Sequence, residues 1–110
     1  MRLMGLDPGL NATGWGVVES DGAHLSHVAN GTARTKADDD LARRLAAIDV
    51  ALAEVIVSWA PDSAAIEETF VNRNPGSALK LGLARGVVML APARVGLAVA
   101  EYNNSQVKKA

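Results

Sequence analysis

The sequence predicts an α/β domain on a five-stranded mixed sheet, from three observations. Three β-patterned runs joined by short turns open the chain, at 2–6, 13–19 and 25–34. The hydrophobic period then lengthens from two to about 3.6 residues. After that, apolar runs and helical patterns alternate, giving the order β-β-β-α-β-α-β-α. An antiparallel meander followed by β-α units implies a mixed sheet with helices on both faces. Strands one, four and five are then central and mostly parallel, as their apolar character supports.

Each element has its own signal. Residues 2–6 form a short apolar run that stops on Asp7, and Pro8-Gly9 turn the chain at once. Thr13 to Glu19, TGWGVVE, is rich in β-formers. Asp21-Gly22 signals a type I′ hairpin into a third strand, Leu25 to Arg34. The acids Asp38–Asp40 stand where a helix N-terminus favours them. Leu41, Leu45, Ile48, Leu52, Val55 and Trp59 recur at spacings of three and four on one helical face, and Pro61 ends the helix. SAAIEETF is a fourth strand, apolar until Glu67. Asn74-Pro75 opens a second helix with Leu79, Leu83, Val87 and Leu90 on one face, where Gly82 and Gly86 permit close packing. After Pro92, RVGLAVAEY is a fifth strand ending at Glu101. Asn103 or Asn104 then caps a third helix, SQVKKA.

Composition bounds the function. The chain has 110 residues, 49% of them hydrophobic, which fits one domain with a real core rather than disorder. It has no cysteine, which excludes a disulfide framework, a thiol nucleophile and a Cys-ligated zinc site, and fits a reducing cytoplasm. Asp7 breaks the first apolar run before a signal-peptide core can form, and no stretch reaches the ~18 apolar residues of a membrane span. The net charge of −1 is unevenly spread. Residues 1–68 hold five basic and eleven acidic side chains, a balance of −6, and residues 69–110 hold six basic and one acidic, a balance of +5. The second part is a candidate anion-facing surface; its alternative is an ordinary solvated helix face.

Asp7 and Glu67 carry the chemistry. Each ends an apolar strand, and ligands of α/β sheets gather outside the carboxyl ends of the strands. Two carboxylates on neighbouring strands suit a hard cation, Mg²⁺ or Mn²⁺, better than zinc, and such ions serve phosphate chemistry. The plainer reading of Asp7 is a turn aspartate bonded to its own backbone. Alternation places Glu67 and Glu68 on opposite faces, so one of the two points at the site. His24, His27, Trp15 and Trp59 read as surface or packing residues.

The blocks GLDPGLNATGWGVV, GTARTK, PDSAAIEETF, NPGSALKLGLARG and AEYNNSQVKKA, in that order over nearly the whole chain, resemble the RuvC Holliday junction resolvases. A single D-x-G motif is weak; A-I-E-x-x-F joined to S-A-L-K-L-G-x-A-R-G is specific. The resemblance implies a single RNase H-like nuclease domain over 1–110. It also implies a metal-dependent endonuclease that nicks paired strands of four-way DNA junctions during recombination and repair. By the same resemblance Asp7 and Glu67 are catalytic metal ligands, for Mg²⁺ with Mn²⁺ able to substitute. Phe70 stacks on unpaired bases, and Lys108 is a basic residue beside the site. Arg73, Lys80 and Arg85 are positioned by charge to follow phosphates. The resemblance further implies a bacterial cytoplasmic homodimer with the Asn74–Leu90 helix near its two-fold axis. Branch-migration proteins RuvA and RuvB are then partners, and no membrane is. Family members continue with helices carrying another acidic pair, so this chain is expected to lack the final acidic helix and to be impaired. Two alternatives stand beside this: an actin-like or sugar-kinase-type nucleotide-binding domain, from the DPGLNATGWG hairpin, and a non-catalytic branched-DNA-binding module.

Overall fold

A computed structural model describes residues 1–68 and 74–102 of the chain. They form β1 (Arg2–Asp7), β2 (Ala12–Asp21), β3 (His24–Arg34), α1 (Leu41–Trp59), β4 (Ser63–Glu67), α2 (Pro75–Arg94) and β5 (Ala98–Tyr102). The sheet order is β3-β2-β1-β4-β5. β1, β2 and β3 are the expected antiparallel meander, and β1, β4 and β5 are parallel. β1 and β4 are central, whereas β5 is an edge strand.

Both described helices lie on one face of the sheet, and the third expected helix falls outside the described residues. Met4, Leu6, Val17, Ala64 and Ile66 from the strands join Ile48 and Leu52 of α1 and Ala84, Val88 and Ala91 of α2 in a single buried cluster. The opposite face carries Gly5, Gly14, Gly16, Ala65 and Ala100, with no described helix over it. Amphipathic spacing shows that a helix has a side to bury; it does not say which sheet face receives it.

Local chemistry explains the boundaries. The hairpin loop is Gly22–Ala23, with Asp21 paired to His24, one residue later than expected. Positive φ occurs there only at Gly22 (+60°), as a type II′ rather than a type I′ connection uses. Asp40 caps α1, its side chain accepting from the Arg43 backbone N–H at 2.8 Å. Ala60 closes the helix in the left-handed region (φ +46°), donating to Ile56 O, and Pro61 prevents continuation. Asn74 caps α2 with Pro75 at its first position, as expected.

α2 departs from expectation twice. It runs through Pro92 to Arg94, so β5 starts only at Ala98. Proline lacks one intrahelical donor, which is a small loss in a last turn, and Pro92 is fully buried. Its buried stripe is Ala84, Val88, Ala91 and Pro92; Leu79 and Leu90 are 67% and 54% exposed. A Cβ on Gly82 or Gly86 would meet nothing, so both border open space. β4 ends at Glu67, short of the expected Phe70, and the third helix expected over SQVKKA falls outside the described residues.

Trp15 lies flat over Gly31 across the β2–β3 pair, where a Cβ on Gly31 would come within 2.6 Å of the indole. Gly31→Ala is therefore expected to cost about 1–3 kcal/mol of stability by forcing the ring out of its packing. A urea denaturation series checks this, and a wild-type midpoint would mean that the indole shifts without cost.

Candidate active site at the carboxyl ends of the strands

Strand alternation builds the site. Met4 and Leu6 point into the core, so Gly5 and Asp7 point to the opposite face; Ala64 and Ile66 do the same for Ala65 and Glu67. Leu6 pairs with Ile66, and Asp7 and Glu67 are each the next residue. Two carboxylates thus end adjacent parallel strands about 4.8 Å apart, on the face away from α1 and α2. Glu67 pairs in turn with Tyr102 on β5, which brings Asp7, Glu67 and Tyr102 into one row. Glu68 lies beyond the strand, its backbone N–H donating to Tyr102 O at 2.5 Å.

The register that aligns the acids is pinned at the other end of the strands. Arg2 N donates to Asp62 Oδ2 at 2.7 Å, and Asp62 N donates to Arg2 O at 2.9 Å. Arg2 Nη1 reaches Trp59 O at 2.6 Å, tying in the end of α1. Shifting β1 by one residue would break these bonds and move Asp7 to the core face.

The loop after Asp7 is held from three sides. A Cβ on Gly9 would collide with Ala12 O, so the turn requires glycine. The buried Thr13 hydroxyl donates to Gly9 O at 2.8 Å and accepts from Gly9 N. Thr35 Oγ1 donates to Leu10 O at 2.6 Å, and Arg44 Nη2 donates to Asn11 Oδ1 at 2.5 Å. Asp7 makes none of the turn bonds that the plainer reading required, and it is exposed.

Burial raises the Tyr102 phenol above its usual pKa, and the nearby Glu67 and Asp7 carboxylates raise it further. Negative charge already concentrated there disfavours a phenolate. The same concentration is what a divalent cation needs, and all-oxygen donors fit a hard ion. Among the described residues no further His, Asp or Glu joins the pair as a three-ligand group.

The other expected site residues scatter. Lys80 is exposed on the first turns of α2 and lines a cleft with Leu10, Asn11, Arg44, Ser77 and Leu81. Arg85 faces the core side, its Nη2 bonded to Glu101 Oε1 at 2.5 Å and its Nη1 to Met89 Sδ, so it braces α2 against β5. Phe70, Arg73 and Lys108 lie outside the described residues. Two residues were not anticipated. Tyr102 is legible only from the β4–β5 register. Arg44 is marked by its place on the stripe Arg44, Ile48 and Leu52 of α1, where an apolar residue is the usual occupant.

Tyr102 is the only tyrosine of the chain, so phenolate absorbance reads it alone. Asp7→Asn or Glu67→Gln should lower its pKa toward the ordinary value, and saturating Mn²⁺ should do the same in the wild type, because each removes negative charge. An alkaline titration unchanged by both substitutions would separate Tyr102 from the pair.

Known proteins share this sequence and fold. The family model described as crossover junction endodeoxyribonuclease RuvC matches residues 3–110. The RuvC of Azorhizobium caulinodans is 59% identical over 109 residues, covering 99% of this chain and 64% of that protein. That of Rhodospirillum rubrum is 58% identical over 110 residues, covering 100% and 65%. The chain therefore spans about two thirds of the length of these relatives. The solved structure of Thermus thermophilus RuvC in complex with a Holliday junction substrate superposes with a TM-score of 0.90 at 31% identity, over 99% of this chain and 70% of that one. The sheet described above is the RNase H-like one of these structures, and the chain belongs to the family of the crossover junction endodeoxyribonuclease RuvC.

Proposed function

We propose that this protein is a metal-dependent, structure-selective endonuclease that binds four-way DNA junctions and nicks paired strands. The observation that carries the reading is the placement of Asp7 and Glu67 side by side at the carboxyl ends of β1 and β4. Asp7 and Glu67 hold the ion, Mg²⁺ or in its place Mn²⁺. Bound there, such an ion supplies Lewis-acid polarisation of a phosphoryl oxygen. Tyr102 stands beside the pair and keeps its proton, so it can donate a hydrogen bond to substrate. Lys80, Arg73 and Lys108 take DNA phosphates, and Phe70 stacks on an unpaired base. Arg85 is spent on Glu101 and reaches DNA only by leaving that pair. Membership over residues 3–110 favours this reading over an actin-like nucleotide-binding domain.

The exposed stripe of α2, Leu79, Gly82, Leu83, Gly86 and Leu90, supports a homodimer. Large apolar side chains flanking two glycines on open space are what a helix needs to approach a second copy closely. Two sites related by that axis face opposite strands of a junction and account for symmetric nicking. RuvA and RuvB are the proposed branch-migration partners. Among the described residues no helix is long and apolar enough to cross a membrane; bacterial relatives and the absence of cysteine support a cytoplasmic location.

A gel assay compares a synthetic four-way junction with a linear duplex of the same sequence, in Mg²⁺ and in EDTA. The junction should be retarded selectively in both, with nicks only in Mg²⁺. Asp7→Asn should remove nicking and leave retardation intact. Equal retardation of the duplex sinks the reading; selective binding without nicking in the wild type leaves a branched-DNA-binding module in its place. Leu79→Arg should shift the sedimentation coefficient from dimer to monomer, and an unchanged coefficient removes α2 from the interface.

A further inference from the structure

Arg44 is 9% exposed, on a stripe whose next members are Ile48 and Leu52. A buried guanidinium is costly unless its charge is balanced. Its Nε donates to Thr35 Oγ1 at 3.1 Å and its Nη2 to Asn11 Oδ1, and both acceptors are neutral. Among the described residues no ion pair includes Arg44. The nearest acid along the chain, Asp40, is turned to the start of α1, where it accepts from the Arg43 backbone and pairs with Arg43 Nε at 3.4 Å. A guanidinium has more N–H donors than these two bonds use.

Arg44 also lines a cleft of about 290 Å³ between the loop that follows Asp7 and the first turns of α2. Lys80 and Ser77 stand exposed on the opposite wall, and Lys80 too has no ion pair among the described residues. Two cations, a hydroxyl and a side-chain amide thus surround a space open to solvent, with no acid among the described residues of its lining. The planar guanidinium fork suits two oxygens of one tetrahedral anion, and the ammonium suits a third as a point charge.

We propose that this cleft is a phosphate-binding site that takes a DNA backbone phosphate distinct from the one cut. The inference rests on the junction-DNA reading and adds to it a second anchor. Leu10 and Asn11, in its wall, follow Asp7 by three and four residues and are tied to Arg44 and Thr35. A phosphate held there supplies the missing countercharge to Arg44 and fixes the strand relative to Asp7.

Ser77→Glu tests it without touching Arg44 or its bonds. Position 77 is the third residue after the Asn74 cap, where glutamate favours a helix, so the fold is retained while a carboxylate enters the cleft. Lys80→Gln is the second variant. Junction affinity is measured against salt for each 110-residue chain, with a thermal melt as a control. Ser77→Glu is expected to bind about tenfold more weakly, and each variant to lower the slope of log affinity against log salt by about one. Wild-type affinity and slope in both variants overturn the proposal. An NMR titration with inorganic phosphate reads the site without DNA. The Arg44 Nε–H and Asn11 side-chain amide signals should shift saturably in the wild type and not in Ser77→Glu. If they do not shift in the wild type, the site is overturned. If they shift while the junction is not bound, the anion site stands and the DNA reading fails.

Discussion

The parallel pairing of β1 with β4 is the constraint on which the rest of the molecule depends. It joins the antiparallel meander to the β-α-β half, and its register places Leu6 beside Ile66 and therefore Asp7 beside Glu67. A parallel pair needs a crossover, which α1 supplies by leaving the meander, packing on the core face and returning at Ser63. The bonds of Arg2 with Asp62 and Trp59 lock that crossover at the base of the strands. The acids stand at the top. One end of the joint sets the register, and the other presents charge at the edge of the sheet.

Charge and burial are separated by the period of the strands. Met4 and Leu6 of β1 and Ala64 and Ile66 of β4 are apolar and buried in the cluster with α1 and α2, while the alternates run Leu3, Gly5, Asp7 and Ser63, Ala65, Glu67, each ending on an acid. Carboxylates are tolerable there because they reach solvent at the strand ends, and they add to the effect of burial in raising the proton affinity of the Tyr102 phenol beside them. Among the described residues no helix covers the small residues on that face.

The same economy recurs in the loop after Asp7. Gly9 permits the turn, Thr13 clips its two arms, and Thr35, just past the end of β3, and Arg44 of α1 hold it. These bonds fix the acid from behind without using its oxygens. Arg44 accordingly sits in the core stripe of an otherwise amphipathic helix. In α2 the sides are exchanged: small residues face the core, and large aliphatic ones face outward with Gly82 and Gly86.

The sequence by itself determined the order of elements and the class of the sheet. The strand and helix periods are local, and so are the Asp40 and Asn74 caps and the break at Pro61; the hairpin was legible to within one residue, its loop being Gly22–Ala23. Asp7 and Glu67 were legible because a charged residue ending an apolar strand is an anomaly visible in one dimension. Tertiary structure alone decided which sheet face the helices cover, because amphipathicity carries no direction. It decided that α2 passes through Pro92, since burying that ring outweighs one lost hydrogen bond near a helix end. It turned Leu79 and Leu90 outward and set Ala84, Val88 and Ala91 on the buried side of α2. It engaged Arg85 with Glu101, and it brought Tyr102 to the acids and Arg44 to Asn11 and Lys80. Those pairings join residues distant in sequence, and only the register and packing of the folded chain specify them.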